Sequence, residues 1–394
     1  MSFIRKDISK TENRLGLLYL INFIVSFHLF FIVYFNSNFL NSEGISDKSI
    51  SFVYIIGSIL SIFGLFLLPK ILNRVGNYIS VLILIASEFA VFFILAFVEN
   101  LTATIVAMVT YLLVYPLILV SFDIFLEGSI EDENTTGGIR GIFLTITNSA
   151  LIIAPLSAGF LLNGGEFRYM YAVAGSFLIP LFIIIIYNFK KFKDPEYTKL
   201  KHKDYINEFK QKKDLSCIFI SHLILRLFFS FMVIYTPLFL HNTIGFSFSE
   251  IGILFAIMLL PFAIFEIPLG KIADKWLGEK EILIVGLIIT GLSTIAISFA
   301  TSSGFLFWAV LLFLTRTGAS AVEITTESYF FKHVDATDAG IITLFRTLNP
   351  LGYVAGPILG AITLSFVNIQ FVFIVPGLIL LAGVIFAYKI KDTK

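Results

Sequence analysis

The sequence predicts an all-α polytopic membrane protein with twelve transmembrane helices in two pseudo-symmetric bundles of six. Three observations predict it. The 394-residue chain is 57% hydrophobic and 14% charged, with a mean hydropathy of +0.92. That is more apolar surface than a soluble chain of this size can hide. The apolar residues run continuously instead of alternating, so the chain satisfies its backbone polar groups as helices and not as a closed barrel. Charged and proline positions also recur at a spacing near 200 residues.

The spans follow from runs long enough to cross a bilayer, about 20 residues each. The polar start, "MSFIRKDISKTENR", lacks the pattern of a cleaved signal peptide. The first span, 15–37, carries His28. Spans 50–69 and 78–98 flank the short polar loop "PKILNRVGN", and the second of them carries Glu88. Span 101–122 ends in a run of acids between Asp123 and Glu133. Span 139–162 opens at Arg140, and span 168–189 completes the first six. The stretch "NFKKFKDPEYTKLKHKDYINEFKQKKD" holds nine lysines and five acids and is too hydrophilic to bury. It reads as a solvated cytoplasmic linker, in preference to an anionic-lipid contact. Spans 215–240, 249–269, 281–300, 304–327, 338–362 and 368–389 form the second six. The chain therefore divides into a first bundle over 1–189, a linker over 190–214 and a second bundle over 215–394.

Charge sets the orientation. Of twenty-eight Lys and Arg, only Lys48 and Arg168 fall on the outer side, and Arg226, Arg316 and Arg346 lie within spans. The rest fall on the inner side, so both termini are expected in the cytoplasm. The halves match at charged and bent positions: Asn73-Arg74 with Asp274-Lys275, Asp123 and Glu127 with Glu323 and Glu327, Gly138 with Gly340, and Pro155 with Pro357. Two same-direction repeats of six helices are a mark of two-bundle transporters.

Between spans 8 and 9 lies "EIPLGKIADKWLGEKEIL", a dense charged hinge. Its core, "GKIADKWLGEK", resembles the Gly-x-x-x-Asp-(Arg/Lys)-x-Gly-(Arg/Lys)-Lys loop of the major facilitator superfamily. Gly270, Asp274, Lys275, Gly278 and Lys280 match, with one extra residue before Gly278. In the first-half copy Arg74 and Gly76 match, while Asn73 replaces the acid and Pro69 the first glycine. The resemblance implies alternating access, with this loop as a cytoplasmic gate. Asp274 would sit near the start of span 5 and pair with Arg140, since a carboxylate is stabilised at a helix amino terminus. Glu127 with Arg74, and Glu327 with Lys275, are the expected supporting pairs. Asn73 lacks the charge of Asp274, so the lock is expected to be lopsided.

Ionisable groups at bilayer depth cost roughly 2.5–3.5 kcal/mol each and are functional candidates. In the resembled family spans 1, 4, 7 and 10 line the central cavity, which ranks Arg226 and Arg316 first as substrate or coupling residues. Arg346 is a further candidate, or a partner for Glu266 or Glu323. Glu88 and His28 are coupling candidates whose bland reading is a hydrogen-bonded buried acid and a packed polar ring. His222 falls under the same bland reading. "GYVAGPILGA" resembles the Gly- and Pro-containing stretch of antiporters but stands on span 11, not span 5; close helix packing also explains it.

Cys217 is the only cysteine, so no disulfide closes within the chain. No P-loop, metal-ligand cluster or nucleophile triad appears in the sequence. The expectation is a monomeric secondary-active transporter without cofactor, moving a small organic solute and possible coupling protons. Export is weakly favoured over uptake of an anionic metabolite, and nucleic acid is not an expected partner. A membrane-embedded enzyme or lipid-handling protein is the rival of another class.

Overall fold

Each predicted apolar run forms helix, because no other open-ended structure closes its own hydrogen bonds in lipid. The structure, a computed structural model, describes residues 2–129, 136–164, 166–194, 213–300, 304–334 and 339–391. Helix α1 covers Ser2–Val33, α2 Asn36–Ser42, α3 Asp47–Phe97, α4 Leu101–Glu127, α5 Thr136–Leu161 and α6 Phe167–Asn188. Then follow α7 Lys213–Phe239, α8 Phe248–Ile272, α9 Glu279–Phe299, α10 Phe305–His333, α11 Ala339–Arg346, α12 Leu348–Thr363 and α13 Ile374–Lys389. The described residues contain no strand.

Among the described residues, ten helices are long and apolar enough to span a bilayer. The difference from twelve has two causes. The 51 residues of α3 would reach about 77 Å as one rod, over twice a hydrocarbon core. Gly76 breaks it, at φ 77° and ψ 163°. The predicted eleventh span is divided at Thr347 into α11 and α12, each too short to count alone. Treating α3 as two segments and α11–α12 as one recovers the twelve.

The chain separates into two compact units, Met1–Val33 with Ile59–Lys199 and Tyr34–Ser58 with Leu200–Lys394. The grouping of 34–58 with the second unit departs from a division at the linker. It rests in part on Ser51, whose hydroxyl lies 2.7 Å from the Tyr235 hydroxyl, and on Asn38, whose side-chain amide donates to the Pro237 carbonyl at 3.2 Å.

The repeat extends to the backbone. The described positive-φ residues are four glycines, Gly44 (87°), Gly76 (77°), Gly245 (89°) and Gly278 (78°). They form two pairs at matching places in the two halves, Gly44 with Gly245 and Gly76 with Gly278. Only glycine adopts this region without a steric cost. The extra residue in the second loop is absorbed by a π turn over Ala273–Leu277, where the Gly278 amide donates to Ala273 O at 3.1 Å. A π turn is how a helix takes in one additional residue.

In the second unit, glycines let helices touch backbone to backbone. On α12, a Cβ at Gly352 would lie 2.6 Å from the Arg226 carbonyl carbon of α7, and Cβ atoms at Gly356 and Gly360 would collide with Ser230 and Tyr235. The glycines of "GYVAGPILGA" thus serve close packing of α12 on α7. On α9, a Cβ at Gly286 would meet Gly318 O of α10 at 2.9 Å, and one at Gly291 would meet Gly377 O of α13 at 3.0 Å. Many large apolar side chains are exposed, such as Phe63, Phe97 and Ile267, as expected of a surface facing lipid tails.

Candidate functional site

In the first unit, α1 and α3 bring His28 and Glu88 together. The imidazole Nε2 lies 3.4 Å from Glu88 Oε1, and both residues are 2% exposed. His28 Nδ1 is 2.8 Å from the Ala174 carbonyl of α6. A carbonyl only accepts, so Nδ1 carries a hydrogen. In a neutral ring Nε2 is then a bare acceptor facing a carboxyl oxygen. The contact is attractive only with a proton on one of the two, on Glu88 as the acid or on His28 as the cation. Phe92 closes the pair from the side, with its ring 4.8 Å from the imidazole, and Tyr111 and Tyr171 pack against Phe92.

In the second unit, α7 and α10 build a charge chain. Arg226 Nη2 donates to Glu323 Oε1 at 2.8 Å and lies 3.8 Å from Glu327 Oε1. Arg346 Nη1 donates to Glu327 Oε1 at 2.9 Å. Arg226 Nε donates to His222 Nε2 at 3.0 Å. The opposite nitrogen, Nδ1, lies 2.9 Å from the Thr326 hydroxyl, which donates to Val322 O at 2.8 Å. The Thr326 hydrogen is committed, so His222 donates from Nδ1 and receives at Nε2, as a neutral ring. Two arginines and two glutamates cancel.

Arg316, on α10, is different. It is 1% exposed, and its Nε and Nη1 meet no hydrogen-bond partner among the described residues. Its guanidinium carbon lies 5.0 and 5.2 Å from the ring centroids of Phe228 and Phe229. Tyr34, Tyr353 and Glu323 are within electrostatic reach.

The loop residues divide. Gly278 occupies the left-handed region, as its motif position requires. Gly270 does not need to be glycine for space, because an added Cβ would make ordinary contact with Ile324 at 3.6 Å. Lys275 and Arg74 are exposed, and Lys280 lies 4.9 Å above the Tyr388 ring. The side chains of Asp274, Arg140 and Glu127 lie outside the described residues, as does Asp338. Two expected pairings are corrected. Glu327 is engaged by Arg346 and approached by Arg226, in place of Lys275, because its position on α10 faces α7 and α11. Arg346 accordingly takes Glu327, and neither Glu266 nor Glu323.

Sequence reasoning passed over two residues. Glu279, directly after Gly278, is fully buried and receives hydrogen bonds from Lys332 and from Ser328 (2.9 Å) of α10. The signal was its place at the first turn of α9, where an acid is stabilised. Asp194, just after α6, accepts from the Asn77 amide at 2.8 Å where α3 resumes beyond Gly76. Nothing in its local sequence announced a partner over a hundred residues away.

Buried charges on several helices, glycine-turned loops at matching places and two repeated halves describe a polytopic membrane protein with the fold of major facilitator transporters. The comparisons agree. The Major Facilitator Superfamily model matches residues 218–394. The multidrug resistance protein MdtG of Citrobacter koseri is 24% identical over 264 residues, covering 65% of this chain and 64% of that protein. The chain thus spans just under two thirds of that relative. An uncharacterized MFS-type transporter of Methanocaldococcus jannaschii is 28% identical over 154 residues, covering 38% of this chain and 39% of its own. Among solved structures, the nucleoside transporter NupG superposes with a TM-score of 0.75 at 15% identity, covering 96% of this chain and 100% of its own. The POT family transporter PepTSo gives 0.75 at 11% identity, covering 95% and 97%. At these identities the structural likeness speaks for the fold.

Proposed function

We propose that the protein is a secondary-active transporter that carries a small organic solute across a cell membrane by alternating access, working as an exporter. The observation that carries this is the major facilitator fold over nearly the whole chain, together with charges buried within its spans. The multidrug resistance relative supports export. Both termini and the loop from Gly270 to Lys280 face the cytoplasm, the loop serving as a gate with Arg74, Glu127, Arg140, Asp274 and Glu327. The protein works as a monomer without a cofactor. The test is solute flux in proteoliposomes with a panel of compounds, with and without a pH gradient. Turnover of a compound without movement across the bilayer would favour the rival enzyme reading.

Proton coupling is assigned to His28 and Glu88, two buried ionisable side chains whose facing atoms lie 3.4 Å apart. The titratable groups around it are the phenols of Tyr111 and Tyr171 behind Phe92. Glu88→Gln fixes a neutral side chain there. It should abolish solute accumulation driven by a pH gradient while solute-for-solute exchange continues. Undiminished gradient-driven accumulation in Glu88→Gln would remove the pair from the coupling step.

A further inference from the structure

We propose that Arg316 is the ligand-binding cation of a solute site in the second unit, and that its ligand is an organic monoanion with an apolar body. This rests on the transport reading and names the chemical class of the solute.

Three arginines lie within the predicted spans, and the structure separates them by their partners. Arg226 is held by Glu323, and Arg346 by Glu327. Arg316 is the most buried of the three, yet two of its nitrogens meet no acceptor among the described residues. Glu323 is the acid that acts on it electrostatically, and that carboxylate is already hydrogen-bonded by Arg226. Phe228 and Phe229 offer ring faces, which soften the charge but do not accept the in-plane N–H groups. A buried guanidinium left this way is unfavourable in the empty protein.

Around α7 and α10, Arg226 and Arg346 share Glu323 and Glu327, with the Glu266 carboxyl of α8 in reach of the same group, whereas Arg316 has no hydrogen-bonded carboxylate among the described residues. One carboxylate supplies acceptors for the unmet Nε and Nη1 donors, whereas an organic cation would be repelled by the guanidinium. The surroundings are aromatic: Phe228 and Phe229 against the guanidinium, and Tyr34 and Tyr353 within electrostatic reach. They suit a flat or greasy body behind the anionic head. Arginine suits the role because it stays charged when buried and gives several donors in a fixed plane.

The test uses the full-length protein purified in detergent, with melting temperature as the readout. The probes are aromatic and branched-chain monocarboxylates, each beside its neutral amide, starting from benzoate and benzamide. At least one carboxylate should raise the melting temperature above its amide. Arg316→Gln should erase that difference, Arg316→Lys should weaken the carboxylate at least tenfold, and Lys48→Gln, at an exposed cation, should keep it. Without ligand, Arg316→Gln should melt no lower than the native protein, since it removes a buried guanidinium with unmet donors. The proposal is overturned if no carboxylate separates from its amide, if the separation persists in Arg316→Gln, or if the empty Arg316→Gln protein is destabilised. Flux separates this from the transport reading. A protein that binds carboxylates selectively but moves no solute fails only as a transporter. One whose Arg316→Gln variant moves its solutes at the native rate fails only here.

Discussion

At the scale of single residues, the glycine loops and the charge chain carry the sharpest consequences. Replacing Gly278 by Ala forces a Cβ into a backbone region, φ 78° and ψ 178°, that is essentially glycine's alone, at a cost of about 1–3 kcal/mol. Gly76→Ala should cost more, since its Cβ would stand 2.6 Å from Asp194 Oδ2. Thermal melts of Gly76→Ala, Asp194→Ala and the double variant should show the double losing less than the sum. In the charge chain, Glu323→Gln leaves the half-buried Arg226 short of its closest anion and should destabilise by about 1.5–3 kcal/mol, the worth of a hydrogen bond to a charged group. Adding Arg226→Gln should recover part of that loss, and equal melting of the single and double variants would argue against the pair. The presence of Arg226, Arg316 and Arg346 inside spans was legible in the sequence, because charge stands out against apolar runs. Their pairing was not. Glu323 and Glu327 are one helical turn apart on α10, and which arginine each meets depends on how α7 and α11 lean on it. That is a tertiary fact.

At the scale of elements, the lesson concerns insertions and small residues. The extra residue before Gly278 reads in sequence as a flaw in the family loop. The π turn over Ala273–Leu277 takes it up and still delivers Gly278 to the left-handed region at its repeat-related place. Ala273, 1% exposed, anchors that turn with Ile282 and Ala321. The break at Thr347 has a signal that the span assignment passed over: Pro350, in the first turn of α12, has no N–H to donate to the Arg346 carbonyl. The contact between α7 and α12 makes a direct prediction. Gly356→Ala should disrupt packing because its Cβ collides with the Ser230 hydroxyl, and Ser230→Ala should rescue it in part. A coupling of about 0.5–3 kcal/mol in a double-mutant cycle is the expected result. Strict additivity would mean that α12 does not lie where the structure has it.

At the scale of the whole molecule, the fold class and the repeat were the most legible properties, since hydropathy and matched charges act over the full length. The orientation rests on charge bias and is open to a direct check. In a Cys217→Ser background, a cysteine at Lys48 should react with an impermeant thiol reagent in intact cells, while one at Lys190 should react only after permeabilisation. Labelling at both positions would overturn the orientation. The glycine crossings of α9 carry a mechanical consequence. Gly286 lies against Gly318, and Gly291 against Gly377, each close enough that a methyl group would not fit. Moving α9 along either neighbour by one residue would drive Leu287 or Leu292 into a carbonyl. The three helices α9, α10 and α13 therefore behave as a keyed joint that can turn as one piece but cannot slip, and their central amides should be among the slowest in the chain to exchange with deuterium.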